Sequence, residues 1–150
     1  MPIYFHRENE RFGFFSNFSR HSIVVRGEVW PTVEHFYQAA KFPHEPAVLA
    51  CIREAKRPGK ALWWARTESG KIRADWASVR DLAMLEGLRA KFHQHPELRA
   101  ALLATGDEEL VEHTPRDSYW GDGGDGAGQN KLGRLLMQVR GELREAEGER

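Results

Sequence analysis

The sequence predicts an α+β fold, mostly helical, in a single domain spanning residues 1–150 with a small antiparallel sheet. Two patterns predict it. β-prone residues collect in the first 30 positions and return only briefly at Leu110-Val111, whereas after Thr32 apolar residues recur every three or four positions, the period of a helix face. No repeat, linker or compositional shift divides the chain. A chain of 150 residues buries about 70% of the surface it exposes when unfolded, enough for a core.

Ile3-Tyr4-Phe5 is the first short strand. Five of the eight phenylalanines fall by position 18, four of them from Phe12 to Phe18, a density that must be buried or line a pocket. Ser22 to Arg26 reads as a second strand, Gly27-Glu28 as a turn and Val29-Trp30 as the antiparallel return. After Pro31, Thr32 caps a helix whose apolar positions Val33, Phe36, Tyr37 and Ala40 run on to Phe42. A second helix is expected over 45–53 and a third over 60–67, following a break at Pro58-Gly59. Asp75 or Ser78 opens the longest helix, with Leu82, Leu85, Leu88 and Phe92 as its stripe. Pro96 stands where a first-turn proline stands, ahead of Leu98, Leu102 and Leu103. A glycine-rich loop over 121–128 precedes a last helix turning Leu132, Leu135, Leu136, Val139 and Leu143 inward. The tail from Glu145 to Arg150 is expected to fray.

Composition narrows the function classes. No apolar run approaches the roughly 20 residues of a membrane helix, and the start lacks a secretory apolar segment, so no membrane partner is expected. The single cysteine, Cys51, excludes an internal disulfide and fits a reducing, cytoplasmic setting. With 22 basic and 22 acidic residues, no global field draws the chain onto nucleic acid. The charge is nevertheless uneven: residues 1–75 hold 12 basic and 8 acidic side chains, residues 76–150 hold 10 and 14. From Arg53 to Arg73, seven Lys/Arg face only Glu54 and Glu68; on charge counting alone this strip reads as a solvated helical face.

Several chemistries lack their motif. The loop Trp120-Gly-Asp-Gly-Gly-Asp-Gly has no Gly-Lys-Ser/Thr, no strong strand feeds it, and Asp122 and Asp125 would repel a phosphate. The seven histidines form no metal pattern, and Cys51 has no histidine close by in sequence, so neither a metal nor a redox cofactor is expected.

The helix after Trp30-Pro31 holds more. Glu34, Gln38 and Lys41 stand at i, i+4 and i+7, on one face. By spacing alone, an acid in the first turn and an amine in the last complement the helix dipole; the same pair also brackets room for a sugar ring. Trp30, Trp76 and Trp120 sit at element boundaries, with Arg73, Asp117, Ser16 and Asn17 near them in sequence. Each aromatic alone is more often a packing residue. Together they supply stacking faces, amides and acids suited to a base–sugar compound.

These segments carry a family resemblance. Phe14 to Phe18, Trp30 to Phe42, Arg73 to Trp76, Leu88 to Phe92, Leu102 to Gly106 and Leu110 to Thr114 are followed by Asp117, Trp120 to Gly124, and Asn130 to Gly133. In this order, over nearly the whole chain, they resemble the NADAR, or YbiA-like, family. The resemblance implies an N-glycosidase that cleaves between a base-type nitrogen and the anomeric carbon of ribose. One branch hydrolyses ribosylaminopyrimidine 5-phosphate intermediates of the riboflavin pathway, releasing ribose 5-phosphate; another removes ADP-ribose from guanine in nucleic acid. The short form and the Trp120-Gly-Asp-Gly-Gly-Asp-Gly loop look closest to the first.

The same resemblance implies roles. Glu34 is the carboxylate at the anomeric carbon, and Lys41 is either an imine-forming nucleophile or an electrostatic contact. Asp117 positions the substrate or protonates the departing nitrogen. Trp76 and Trp120 stack the base, while Ser16, Asn17 and Asn130 hydrogen-bond base or ribose. Trp30, Gln38, Gly121 and Asp122 complete the binding set, and Arg73 with the 53–73 strip takes the phosphate. The expected partner is thus a small phosphoribosylated or ADP-ribosylated substrate, with nucleic acid only under the second branch. A third reading is an idle module that binds ADP-ribose or a nucleotide, which needs the aromatics but not Glu34. Oligomeric state is not legible in the sequence.

Overall fold

A computed structural model describes residues 1–148. In chain order its elements are β1 (Ile3–Phe5), a 3-10 turn (Gly13–Phe15), β2 (Ile23–Val25), β3 (Glu28–Trp30), α1 (Val33–Ala39), α2 (Pro46–Glu54) and α3 (Pro58–Thr67). A second 3-10 turn (Ser69–Lys71), α4 (Trp76–Gln94), α5 (Pro96–Ala104), β4 (Leu110–Glu112) and α6 (Lys131–Gly148) follow. The class is the expected α+β, dominated by helix, with β2 and β3 as the small antiparallel sheet. The described chain forms two compact units: residues 1–19 with 92–148, and residues 20–91, which interrupt the first unit in sequence. Among the described residues no helix is long and apolar enough to cross a membrane.

In the inserted unit, β2 and β3 pair Ile23 with Trp30, Val24 with Val29 and Val25 with Glu28. Arg26 and Gly27 both take positive φ, 50° and 79°, as a two-residue hairpin turn of the hand that matches strand twist requires. The turn therefore lies one residue earlier than the expected Gly27-Glu28, and Glu28 is already strand. Ile23, Val25 and Trp30 face inward while Val24 and Val29 are exposed, the period-two alternation of a one-sided sheet.

Thr32 caps α1: its hydroxyl accepts from the His35 N–H at 3.1 Å. The His35 ring is itself buried, with Nδ1 2.8 Å from the Thr32 hydroxyl and Nε2 2.9 Å from the Ala55 carbonyl. Burial holds this imidazole below its usual pKa, so it bridges the two elements as the neutral ring. Every residue of α1 is buried, with α2 and α3 packed on it. Gly87 of α4 belongs to the same arrangement, since a Cβ there would sit 3.1 Å from Phe36 and Val33.

Three expectations for this unit change. Helix α3 starts at Pro58 rather than after it, because a first-turn proline lacks only an N–H that has no helical acceptor anyway. Helix α1 ends at Ala39, two residues before Lys41, and the carbonyl of Lys41 accepts from the Arg73 N–H at 2.9 Å. Leu82 is 68% exposed, because the buried stripe of α4 runs through Met84, Leu85, Leu88 and Lys91 and leaves position 82 on the far side at 100° per residue.

In the other unit, β1 and β4 pair in parallel, Ile3 with Leu110 through Phe5 with Glu112, a pairing with no local signal in the sequence. The aromatic segment is core: Phe15 packs edge-on to Phe5 at 5.6 Å and tilted on Phe92 at 6.2 Å. Helix α6 lies on β4 through Leu132, Leu136, Val139 and Leu143, while Leu135 is only half-buried. Leu103 of α5 is half-buried as well. The expected fraying does not begin at Glu145: good helix formers carry α6 to Gly148, and Glu149 and Arg150 lie outside the described residues. The Arg140 guanidinium, buried within this unit, ties α6 to the end of α5 by 2.8 Å bonds to the Thr105 hydroxyl and the Glu108 carbonyl.

Close approach of α6 to β4 depends on Gly133. A Cβ there would lie 2.0 Å from the Leu110 carbonyl oxygen and 2.5 Å from the Asn130 amide, atoms that cannot yield. Gly133→Ala is expected to cost about 3 kcal/mol, lowering Tm by roughly 6–12 °C for a chain of this size. Thermal unfolding followed by far-UV circular dichroism reads it.

Candidate active site

Four of the anticipated residues come together in the inserted unit, on and beside α1. Glu34 lies in the first turn, only 7% exposed. One turn on, Gln38 is 3% exposed and its Nε2 donates to Glu34 Oε1 at 2.6 Å. A carboxylate only accepts, so the Gln38 amide must present its NH2 group to Glu34. That leaves Gln38 Oε1 as a buried acceptor with no partner among the described residues.

Lys41, half-buried just past the end of α1, places its Nζ 5.4 Å from the Tyr37 ring centre and 5.7 Å from that of Trp76. Those two rings tilt together at 5.2 Å. Burial pushes the Lys41 ammonium below the usual lysine range; Glu34 pulls the other way, and the charge of Arg66 adds to the lowering. Glu34 acts on the Lys41 ammonium electrostatically. The acid and the amine thus share one face, with Trp76 and Tyr37 as its aromatic wall.

Arg73 and Trp30 serve other surfaces. The Arg73 guanidinium grips the Asp75 carboxylate at 2.6 and 3.0 Å, and this pair holds the carboxyl of Asp75 below its ordinary range. Trp30 packs edge-on to Phe36 and under Arg53 at 4.4 Å. Both line a hollow of about 450 Å³ with Ala39, Ala40 and Leu82, on the side of α1 that carries neither Glu34 nor Lys41. In the basic strip, Arg53, Lys71 and Arg73 are paired with Glu28, Glu68 and Asp75, whereas Lys56, Arg57, Lys60 and Arg66 have no carboxylate partner among the described residues.

The other unit gathers a second group in the glycine loop. Asp117 Oδ1 accepts from the backbone N–H of Tyr119 at 2.9 Å and of Trp120 at 2.8 Å, closing the turn that presents both rings. Asp122, buried, accepts from the N–H of Thr114 and Gly124 and from the His113 ring at 2.7 Å. Burial alone would push its carboxyl up, but these hydrogen bonds hold it below the usual range. Asn130, at φ 49°, accepts from the Glu112 N–H and donates to the Leu110 carbonyl, so both ends of its amide bond backbone. At Gly121 a Cβ would stand 2.6 Å from the Thr114 methyl, which requires glycine. The side chains of Asp117, Asp122 and Asn130 are therefore the internal frame of the loop. Ser16 belongs to a turn too, its hydroxyl accepting from the Phe18 N–H at 3.1 Å, with Asn17 buried beside it in sequence. Asp122→Ala removes three hydrogen bonds to one charged acceptor and is expected to cost about 2–3 kcal/mol, visible in chemical denaturation at pH 7.

Sequence reasoning gave three residues no individual role. Tyr37 stands one turn before Lys41, a spacing that marks it as a neighbour. Arg66, expected only as one cation of the 53–73 strip, reaches Lys41 electrostatically from α3, which no local pattern indicates. Lys91 is fully buried and lowered by burial to about 7; its place in the stripe of α4 is the signal.

The NADAR domain profile matches residues 4–144. The chain is 48% identical over 141 residues to N-glycosidase YbiA of Escherichia coli (strain K12), covering 94% of this chain and 88% of that protein. It is 45% identical over 144 residues to the riboflavin biosynthesis protein VVA0006 of Vibrio vulnificus (strain YJ016), covering 96% of this chain and 39% of the relative. Among solved structures it is similar to the NMR structure of E. coli YbiA, with a TM-score of 0.90 and 47% identity over 99% of this chain and 88% of that one.

Proposed function

This chain belongs to the NADAR family, and on that footing we propose that it hydrolyses the N-glycosyl bond of ribosylaminopyrimidine 5-phosphates of the riboflavin pathway, releasing ribose 5-phosphate. Relatives named as N-glycosidases support the reaction class, and one named as a riboflavin biosynthesis protein supports the substrate class. The observation that carries the reading is the buried Glu34 carboxylate, oriented by Gln38, on one face with the half-buried Lys41 amine.

The chemistry follows from charge. As the C1–N bond breaks, its electron pair leaves with the nitrogen and positive charge grows on C1 and the ring oxygen. A carboxylate sheltered from water stabilises that charge strongly. Water then adds to C1 and delivers a proton to the released amine. The alternative route opens the ring first: the bond from C1 to the ring oxygen breaks, leaving C1 doubly bonded to the base nitrogen. The neutral Lys41 amine adds to C1, the aminopyrimidine departs with a proton, and water hydrolyses the Lys41 imine to free amine and ribose 5-phosphate. Phosphate falls to Arg66 more readily than to Arg73, whose guanidinium is already held by Asp75.

A second reading, hydrolysis of ADP-ribosyl guanine in nucleic acid, is favoured by one surface. On α3, Lys60 lies 3.6 Å over the 48% exposed Trp63, and Lys56, Arg57, Lys60 and Trp64, with a single acid, Glu54, line a hollow of about 480 Å³. Cations beside flat aromatic faces suit a nucleic-acid strand. An assay separates the two readings: the protein is given a ribosylaminopyrimidine 5-phosphate in one arm and an ADP-ribosyl-guanine oligonucleotide in the other. Release of aminopyrimidine and ribose 5-phosphate in the first arm alone is the expected result; turnover only of the oligonucleotide would replace the first reading by the second.

A further inference from the structure

We infer that Gln38 is the residue by which this site selects a sugar carrying a free hydroxyl next to its anomeric carbon, so that ribosyl compounds are accepted and 2-deoxyribosyl compounds refused. The inference rests on the reading of Glu34 as the carboxylate at the anomeric carbon. Gln38 is almost completely buried, and its amide has one orientation available, because Nε2 must face the Glu34 carboxylate at 2.6 Å. What it offers a ligand is therefore an acceptor only, and that acceptor, Oε1, has no partner among the described residues. A buried carbonyl oxygen left in this state is costly, and a hydroxyl or N–H from a ligand relieves the cost.

Acceptor chemistry excludes a phosphate oxygen at this point and calls for a donor. Geometry says which one. Nε2 and Oε1 belong to one amide, so a donor on Oε1 lies on the same side of the site as the atom that meets the Glu34 carboxylate. With C1 against that carboxylate, the sugar donor nearest to C1 is the 2-hydroxyl. It donates to Gln38 Oε1 while Gln38 Nε2 continues to hold Glu34, so one amide both aims the carboxylate and reads the neighbouring hydroxyl. Gln38 then acts on the reaction through Glu34, as a positioning residue, and on substrate choice directly. A site built around a hydroxyl rejects the analogue lacking it, because its own polar group is left unpaired.

The test compares a ribosylaminopyrimidine 5-phosphate with its 2-deoxyribosyl counterpart, each rate referred to its uncatalysed hydrolysis since loss of the 2-hydroxyl itself speeds departure. Calorimetric binding of ribose 5-phosphate and 2-deoxyribose 5-phosphate runs in parallel and needs no turnover. The wild-type protein is expected to favour the ribosyl member by about 30-fold or more in kcat/KM. Gln38→Met, close in size and without polar atoms, is expected to bring that ratio near one. Gln38→Glu mimics the amide only when its carboxyl is protonated, donating to Glu34 and accepting from the sugar. Its ribosyl preference should therefore be present at low pH and vanish as pH rises, a profile that a purely structural role would not produce. Equal treatment of both sugars by the wild-type protein, or an unchanged ratio in Gln38→Met, overturns the inference while leaving the hydrolase reading in place. Cleavage of neither compound together with binding of neither sugar phosphate overturns that reading, and the inference with it.

Discussion

Glu34→Gln is expected to lower kcat about 10³-fold with KM nearly unchanged, on the scale of losing one preorganised charge or proton-transfer group. The side chain is 7% exposed, so its charge acts where water screens it little. The amide has the same shape and still offers an oxygen to the Gln38 Nε2 that bonds Glu34 at 2.6 Å, so the local packing is retained. What disappears is the negative charge that stabilises a cationic sugar and can activate water. Steady-state kinetics beside a far-UV spectrum decide the matter: a folded variant with full turnover would remove the carboxylate from the reaction.

The second large effect falls on Lys41. Lys41→Arg keeps a cation over Tyr37 and Trp76 but cannot form an imine, and a loss of about 10³-fold in kcat is expected if the amine is the nucleophile. The pH dependence carries an independent sign. Because burial lowers the Lys41 pKa, against the pull of Glu34, the neutral amine is populated at lower pH than for an ordinary lysine near 10.4. Wild-type activity should rise with pH along a limb whose midpoint lies below that value, and the arginine variant should lack the limb. The same shift bears on folding: between the folded and the unfolded pKa the unfolded chain binds this proton more, so stability rises with pH across that window and is lowest below the folded pKa. Borohydride reduction in the presence of substrate gives a direct reading, since a trapped imine adds the mass of the sugar phosphate less one oxygen to the wild-type protein and not to Lys41→Arg. Near-wild-type turnover in the variant would leave Lys41 an electrostatic contact.

The parts of the fold legible in the sequence are those set by local rules. Thr32 caps α1 as its residue type suggests, and Pro96 opens α5 as a first-turn proline does. The strands β2 and β3 were visible in their β-branched runs, though the turn between them shifted by one residue. Leu82 misled because leucines three apart read as one stripe, while the buried face of α4 follows Met84 and Lys91. The site shows the same division. Glu34 and Gln38 stand a single turn apart, so their contact was implicit in helix geometry. Trp76 meets Lys41 and Tyr37 where the Arg73 N–H bonds the Lys41 carbonyl, a contact across 32 positions that has no sequence pattern.

What the sequence determined alone is the helical character of the chain, the α+β class, and the placement of an acid and an amide on one face of one helix. These follow from periodicity and residue type, which act over a few positions. Tertiary structure decided which polar groups were withdrawn from water and which became scaffold. It made Asp117, Asp122 and Asn130 the frame of a loop, buried Gln38 with one acceptor unmatched among the described residues, and shifted the Lys41 amine toward neutrality. Desolvation and hydrogen-bond partnership depend on what packs around a group, and residues distant in the chain supply that packing.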